Sequence, residues 1–340
     1  MKIIDPRGLR ARGHRWSRQF GLPQGWTLSA PRNLWLVPLA LLPALFVAPG
    51  KDAVPADEAQ ADTYVDHEVR LMGASLPLHE NPRVEKWVDR FTDSQRPAFQ
   101  RLLERKGLYE GLIVDKLRHR GMPEELLYLA MMESGLSARA VSHASAVGLW
   151  QFMGPTAQQY GLRMDEWVDE RLDPVAATEA ALDYIQWLHQ RYGSWYLAAA
   201  AYNAGPGRVD RELRRHAQGE TGDEDLYWQI LEHLPRETRE YVPRLVAATM
   251  VAENAQSLGF ETAELAPYEY ERVFVPGGTS LRRIARDLDV QARVIRNLNP
   301  HLTRGMTPLH EIYPVRVPVG SAPMVVASLG HVGKLRRADD

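Results

Sequence analysis

The chain has 340 residues, no cysteine and a formal charge of −2, with 45% hydrophobic and 25% charged residues. That length accommodates one sizeable core plus a small second module, and the lack of cysteine excludes disulfides, thiol nucleophiles, cysteine metal sites and a lipid anchor on an N-terminal cysteine. No long charge run offers a basic field to a polyphosphate, so nucleic acid is not an expected partner.

Residues 1–33 carry Lys2, Arg7, Arg10, Arg12, Arg15, Arg18 and Arg32 against one acid, Asp5, and run into the apolar segment 34–48. That order reads as an export signal, cleaved or retained as an N-terminal anchor that associates with the membrane. Its apolar part, interrupted by Pro38 and Pro43, is shorter than the roughly 20 residues a spanning helix needs. Ala59-Gln60-Ala61 and Val54-Pro55-Ala56 both fit the small-x-small cleavage rule. Losing residues 1–61, with eight basic and four acidic side chains, takes the formal charge from −2 to −6. The predicted product is an exported protein of the periplasm or cell envelope.

Residues 49–62, rich in Ala, Asp, Glu and Pro, read as a solvated linker. From Arg96 the apolar positions Phe99, Leu102, Leu103, Leu108, Leu112, Ile113 and Leu117 recur at helical spacing and stop at Gly121. Pro123 is placed at the first position of the next helix, which reaches Ser134. Further helices are predicted at 174–192, 194–202, 206–216, 223–233 and 238–257, each bounded by Pro, Gly or Asp. Past Gly259 the pattern changes. Residues 267–275 alternate and are rich in aromatic and β-branched side chains, helical patterns follow at 280–288 and 291–298, and a strand closes at 313–318. The fold class is therefore mainly α, a helical domain over 62–265 followed by a small α+β (βααβ) domain over 266–320. Residues 321–340 are read as a disordered tail.

Glu133 ends the apolar run Leu126-Leu127-Tyr128-Leu129-Ala130-Met131-Met132, so its helix must be buried on most sides. A carboxyl group in such surroundings has its pKa raised, as a general acid working on a glycosidic oxygen requires; a helix-end Glu paired with Arg139 is the plainer alternative. Gly148 with Trp150-Gln151-Phe152 supplies a tight turn, an aromatic surface suited to a sugar face or to the core, and an amide for a hydroxyl or acetamido group. Tyr202 and Asn203 end a helix containing four consecutive alanines, and Gly205-Pro206 stops it at a mouth. The eleven histidines lack paired spacing and no phosphate-binding or dinucleotide loop occurs, so neither metal nor cofactor is expected.

Glu133-Ser134, residues 148–153, residues 201–205 and Tyr241-Val242-Pro243 together resemble the four motifs of bacterial lytic transglycosylases with a goose-type lysozyme-like (SLT) domain, most closely the membrane-bound D type. Leu76-Pro77-Leu78, Asn81-Pro82-Arg83-Val84 and residues 121–126 extend the likeness over roughly 70–260. The resemblance implies cleavage of peptidoglycan glycan strands at the MurNAc-GlcNAc β-1,4 bond. Glu133 would be the only catalytic carboxylate, acid then base, with Ser134, Gln151, Tyr202, Asn203 and Tyr241 positioning it or the substrate. The muramyl 6-hydroxyl would close on the anomeric carbon to leave a 1,6-anhydro end. A hydrolytic muramidase would need a second acid such as Asp165, Glu166 or Asp169, and a non-catalytic wall-binding scaffold would not need Glu133.

Residues 273–317 resemble a LysM-like module, matching at Val273, Val275, Gly278, Thr279, Leu281, Ile284, Ile295, Leu298 and Asn299; such modules bind N-acetylglucosamine polymers. The resemblance implies a wall-binding unit, with a structural cap on the catalytic domain as the other reading. Three positions depart from the transglycosylase pattern. Leu136-Ser137-Ala138 replaces the usual Phe-x-Pro, Ser145 stands where Gly is common, and Gly154 intervenes between Met153 and Pro155.

Overall fold

The computed structural model describes residues 75–261 and 265–335. The segment read as export signal, anchor and linker lies outside the described residues.

Helix α1 (Pro82–Thr92) starts where the Asn81 side chain accepts from the Arg83 and Val84 backbone N–H groups, with Pro82 in the first turn. It buries Val84, Val88 and Phe91. This helix is absent from the elements predicted above, although its cap and its i, i+4, i+7 apolar stripe are present in the sequence. Helix α2 (Arg96–His119) follows the predicted stripe, with Phe99, Ile113 and Leu117 buried. Helix α3 (Leu127–Ser134) differs at its start: Pro123 flanks a 3₁₀ turn (Glu124–Leu126) rather than opening the helix itself. It ends at Gly135, whose φ of 62° suits glycine, and buries Leu127 through Met131. Each fully buried leucine there contributes about 2 kcal/mol from apolar burial.

A long irregular segment, containing only the short α4 (Gly154–Gln159) and a 3₁₀ turn (Glu170–Leu172), leads to α5 (Pro174–Tyr192), capped by the Asp173 side chain. Then come α6 (Trp195–Ala204), α7 (Pro206–His216), α8 (Asp225–Ile230) and α9 (Arg236–Glu253). The alanines 198–201 of α6 are buried to 1% exposure or less; small side chains let α6 approach α5 and α9 closely.

Pro243 lies inside α9 and cannot donate to the Arg239 carbonyl. The Tyr227 hydroxyl donates to that oxygen at 3.2 Å and to the Thr238 oxygen at 3.1 Å. The interrupted ladder is thereby satisfied, at the turn that carries Tyr241.

The C-terminal part has the predicted βααβ order. Strand β1 (Glu271–Val275) pairs antiparallel with β2 (Tyr313–Val317), Val273 opposite Val315, around α10 (Leu281–Asp287) and α11 (Ala292–Leu298). The tail departs from expectation, because residues after Gly320 form α12 (Ala322–Leu335). The Ala322 N–H donates to the Glu271 carboxylate, and Val325, 1% exposed, joins the module's core. That core also takes in Val168 of the irregular segment, with Trp167 packed against it. Among the described residues no helix is long and apolar enough to cross a membrane.

Candidate active site

Three elements converge on Glu133. It sits in the last turn of α3, and the Tyr241 hydroxyl of α9 donates to its Oε1 at 2.6 Å. Tyr202, in the last turns of α6, is close enough to feel its charge. The Glu133 residue is partly exposed, while packed atoms surround most of its carboxylate. Burial pushes its pKa up to about 7, aided by the nearby Glu237 carboxylate; the Tyr241 hydrogen bond and the Arg244 guanidinium act in the opposite sense without overcoming burial. The pairing with Arg139 considered from sequence does not occur: Arg139 donates instead to the Arg296 carbonyl at 2.6 Å.

Ser134 faces the other way. Its hydroxyl donates to the Leu149 carbonyl at 2.7 Å and accepts from the Ser137 N–H at 3.1 Å, fixing α3 to the turn at residues 148–152. That turn depends on Gly148, whose φ is 85° and whose missing Cβ would sit 1.7 Å from the Arg171 carbonyl oxygen. Gln151 itself adopts φ 50°, and its Nε2 donates to the Gly148 carbonyl at 2.9 Å and to that of Ala140 at 3.3 Å. Its amide nitrogen is therefore committed to the turn.

For Trp150 and Phe152 the structure decides between the sugar face and the core, both of which the sequence left open. Trp150 is fully buried, its indole N–H donating to the Thr178 hydroxyl at 2.9 Å, and Phe152 is 3% exposed. They are core residues rather than a sugar-facing surface. What Trp150 offers the site is its carbonyl, which accepts from the Tyr202 hydroxyl at 2.7 Å. Asn203 accepts from the Thr238 hydroxyl at 2.8 Å, tying α6 to α9 one turn before Tyr241.

Ser145, where glycine is usual, has a φ of 64°. Its turn is held by the Ser142 side chain, which accepts from the Ala146 N–H at 3.0 Å. Asp165, Glu166 and Asp169, considered as a second acid, are engaged elsewhere. Asp165 pairs with Arg163, Glu166 with Arg304 and Asp169 with Arg171.

Sequence reasoning missed Glu237 and Arg244. Their spacing of four and three residues from Tyr241 places all three on one face of α9, which was the available signal. Among the described residues no group of three or more His, Asp or Glu side chains converges as metal ligands.

Tyr241→Phe removes a bond that favours the charged form of Glu133. The Glu133 pKa should rise further above about 7, and the alkaline limb of its titration, followed by carboxyl carbon NMR, should move to higher pH. An unmoved limb would separate Tyr241 from the control of Glu133.

Residues 112–224 match the family model of the transglycosylase SLT domain. Residues 269–333 match that of the LysM-like domain of lytic transglycosylase MltD. The membrane-bound lytic murein transglycosylase D of Escherichia coli (strain K12) is 38% identical over 186 residues, 54% of this chain and 40% of that protein. A putative tributyltin chloride resistance protein of Alteromonas sp. (strain M-1) is 40% identical over 102 residues, 30% of this chain and 49% of that protein. The matched region thus spans less than half the length of either curated relative. The 70 kDa soluble lytic transglycosylase SLT70 of Escherichia coli aligns with a TM-score of 0.36 and 25% identity over 46% of this chain and 25% of that one.

Proposed function

We propose that this chain, carrying an SLT transglycosylase domain followed by an MltD-type LysM-like domain, is a lytic transglycosylase acting on peptidoglycan glycan strands in the cell envelope. The observation that carries the proposal is the state of Glu133, a carboxyl group whose pKa lies near 7 and whose Oε1 is occupied by the Tyr241 hydroxyl. Oε2 is then the oxygen that carries and delivers the proton. Near neutrality a large fraction of the enzyme holds that proton, which is what a general acid needs.

In the proposed cycle Glu133 protonates the glycosidic oxygen and the C1–O bond of the muramyl residue breaks. The substrate's own acetamido group stabilises the positive charge at C1. The muramyl 6-hydroxyl then attacks C1 while the Glu133 carboxylate takes its proton, restoring the acid. No water is consumed, because nucleophile and electrophile lie in one sugar. Tyr241 holds the carboxylate in both halves; Ser134 and Tyr202 hold the walls around it; Gln151 Oε1 and the Asn203 amide are the polar groups offered to substituents of the sugar. The similarity to an enzyme named as membrane-bound supports placement in the envelope.

Glu237 gives the hydrolytic reading a specific footing, since it is an exposed acid close enough to raise the Glu133 pKa. Such a second acid could activate water. Mass spectrometry of products released from purified sacculi separates the two: 1,6-anhydro products are one water lighter than hydrolytic ones. Mainly reducing muramic acid ends would overturn the transglycosylase proposal.

A further inference from the structure

Asp173 joins the C-terminal module to the wall of the Glu133 site. Only 5% exposed, it divides its two oxygens. Oδ1 accepts from the Val175 and Ala176 N–H groups at 2.8 and 3.3 Å, capping α5. Oδ2 accepts from the Arg316 guanidinium at 2.7 Å. Burial alone would raise the Asp173 pKa, but Arg316, foremost among its partners, holds it below the ordinary carboxylate range. His301 lies 3.4 Å from the same oxygen with its Nδ1 unpaired, and burial lowers its pKa to about 4, so at neutral pH Arg316 is the charge that meets Asp173.

Arg316 lies in β2 between Val315 and Val317, both fully buried in the module's core. Strand alternation therefore turns its side chain to the opposite face, where Asp173 is. Further contacts hold the preceding segment: Asp169 N–H donates to the His301 carbonyl at 3.0 Å, and Thr303 N–H to that of Trp167 at 3.2 Å. From this docked segment two links run to the site. Arg171 supplies the carbonyl against which Gly148 closes. Thr178, one turn into the helix that Asp173 caps, holds the Trp150 indole. Leu149 and Trp150, between those links, offer the carbonyls that bind Ser134 and Tyr202 beside Glu133.

We infer that Arg316 is a positioning residue for Glu133, and that the LysM-like module is a fixed brace of the active site rather than a tethered wall-binding unit. The inference rests on the transglycosylase reading for the identity of the reaction, but its geometry and the titration of Glu133 that tests it do not. A free-standing module would have no need of a core completed by Val168 or of a buried ion pair across the boundary, since burying two charges is repaid only by a fixed, well-paired geometry.

The test reads Glu133 directly, by carboxyl carbon NMR of the full chain with Glu133→Gln identifying the resonance, so it remains interpretable even if no turnover is found. Arg316→Met should loosen the turn at 148–152 and admit water to the carboxylate. With Tyr241, Glu237, Arg244 and Tyr202 all still facing it, the Glu133 titration should move down by about half a pH unit or more, because relief of desolvation lowers a carboxyl pKa. Arg316→Lys should recover most of the shift. On soluble strand fragments Arg316→Met should lower kcat by about tenfold or more with KM little changed, while sedimentation with sacculi stays as in the parent. A merely less stable enzyme would lower the amplitude without moving the titration, and that result, like loss of sedimentation with kcat intact, would overturn the inference.

Should Arg316→Met fail to fold, the cysteine-free sequence permits a second experiment. Val168 and Leu302 are antiparallel bridge partners, so Val168→Cys with Leu302→Cys can lock the module in place. The oxidised form should keep the Glu133 titration and kcat of its reduced form. Loss of either on oxidation, reversed by reduction, would show that the module must undock and would overturn the inference.

Discussion

Glu133→Gln should lower turnover on peptidoglycan by about 10²–10⁴-fold while making the protein more stable at neutral pH. The amide keeps the size of the side chain and an oxygen to accept from Tyr241, but it has no acid proton to give. The stability gain follows from the raised pKa. Between about 4.5, the ordinary value for this group, and about 7, the folded chain holds a proton that the unfolded chain has lost. The stabilising contribution of Glu133 is therefore fully present below about 4.5, falls as pH rises to about 7, and stays lost above it. Above pH 7 the deficit approaches about 3 kcal/mol. Glutamine does not titrate, so the variant should exceed the parent in denaturant melts at pH 8 and converge with it at pH 4. Near-full turnover, or a stability gap that does not change between those two pH values, would remove Glu133 from the catalytic role.

Gly148→Ala should unfold or severely destabilise the protein, by more than about 4 kcal/mol, which is exceptional for the addition of one methyl group. Two independent constraints meet at this residue. Its φ of 85° disfavours any side chain, and a Cβ would lie 1.7 Å from the Arg171 carbonyl oxygen and 2.7 Å from its carbon. Those are backbone atoms of a segment bound on its far side to the C-terminal module, so they cannot swing away as a side-chain end would. Any protein that does fold should have lost activity, because the same turn presents the carbonyls that bind Ser134 and Tyr202. Gly154→Ala is the control, with nothing within 4 Å of the added carbon and an ordinary backbone. Its melting midpoint should stay within about 0.5 kcal/mol of the parent, and a Gly148→Ala protein that melts equally close to the parent would refute the packing described.

The helices of the larger, helical part were legible because their signals are local. Periodic apolar positions, Pro at the starts and Gly at the ends give α5 and α7 their observed limits of 174–192 and 206–216. The same holds for the two strands of the module and its two intervening helices, where alternation gives way to helical spacing at Ser280. Glu133 was legible for a related reason: an acid closing a run of seven apolar residues is out of place unless its environment suits it. Its ordered company of glycine, amide and tyrosine motifs carried the resemblance to the lytic transglycosylases.

Other features depended on contacts between residues far apart in sequence. Whether Trp150 faces a sugar or the core turns on Thr178, and Glu237 and Arg244 act on Glu133 only because Pro243 is tolerated in α9 with Tyr227 satisfying the freed carbonyl. The tail after Gly320 carries little local signal, and its helix is held by the Glu271 carboxylate and the module's core, neither of which a local pattern contains. The role of Arg316, the charged residue of β2, rests on Asp173, a partner 143 residues away that only the tertiary structure brings to it. By itself, then, the sequence determined most of the elements and singled out Glu133, both of which depend on patterns within a few turns. Tertiary packing decided the pKa of that acid, the fate of the aromatic residues and the docking of the module, because burial and charge pairing are properties of surfaces that exist only once distant segments meet.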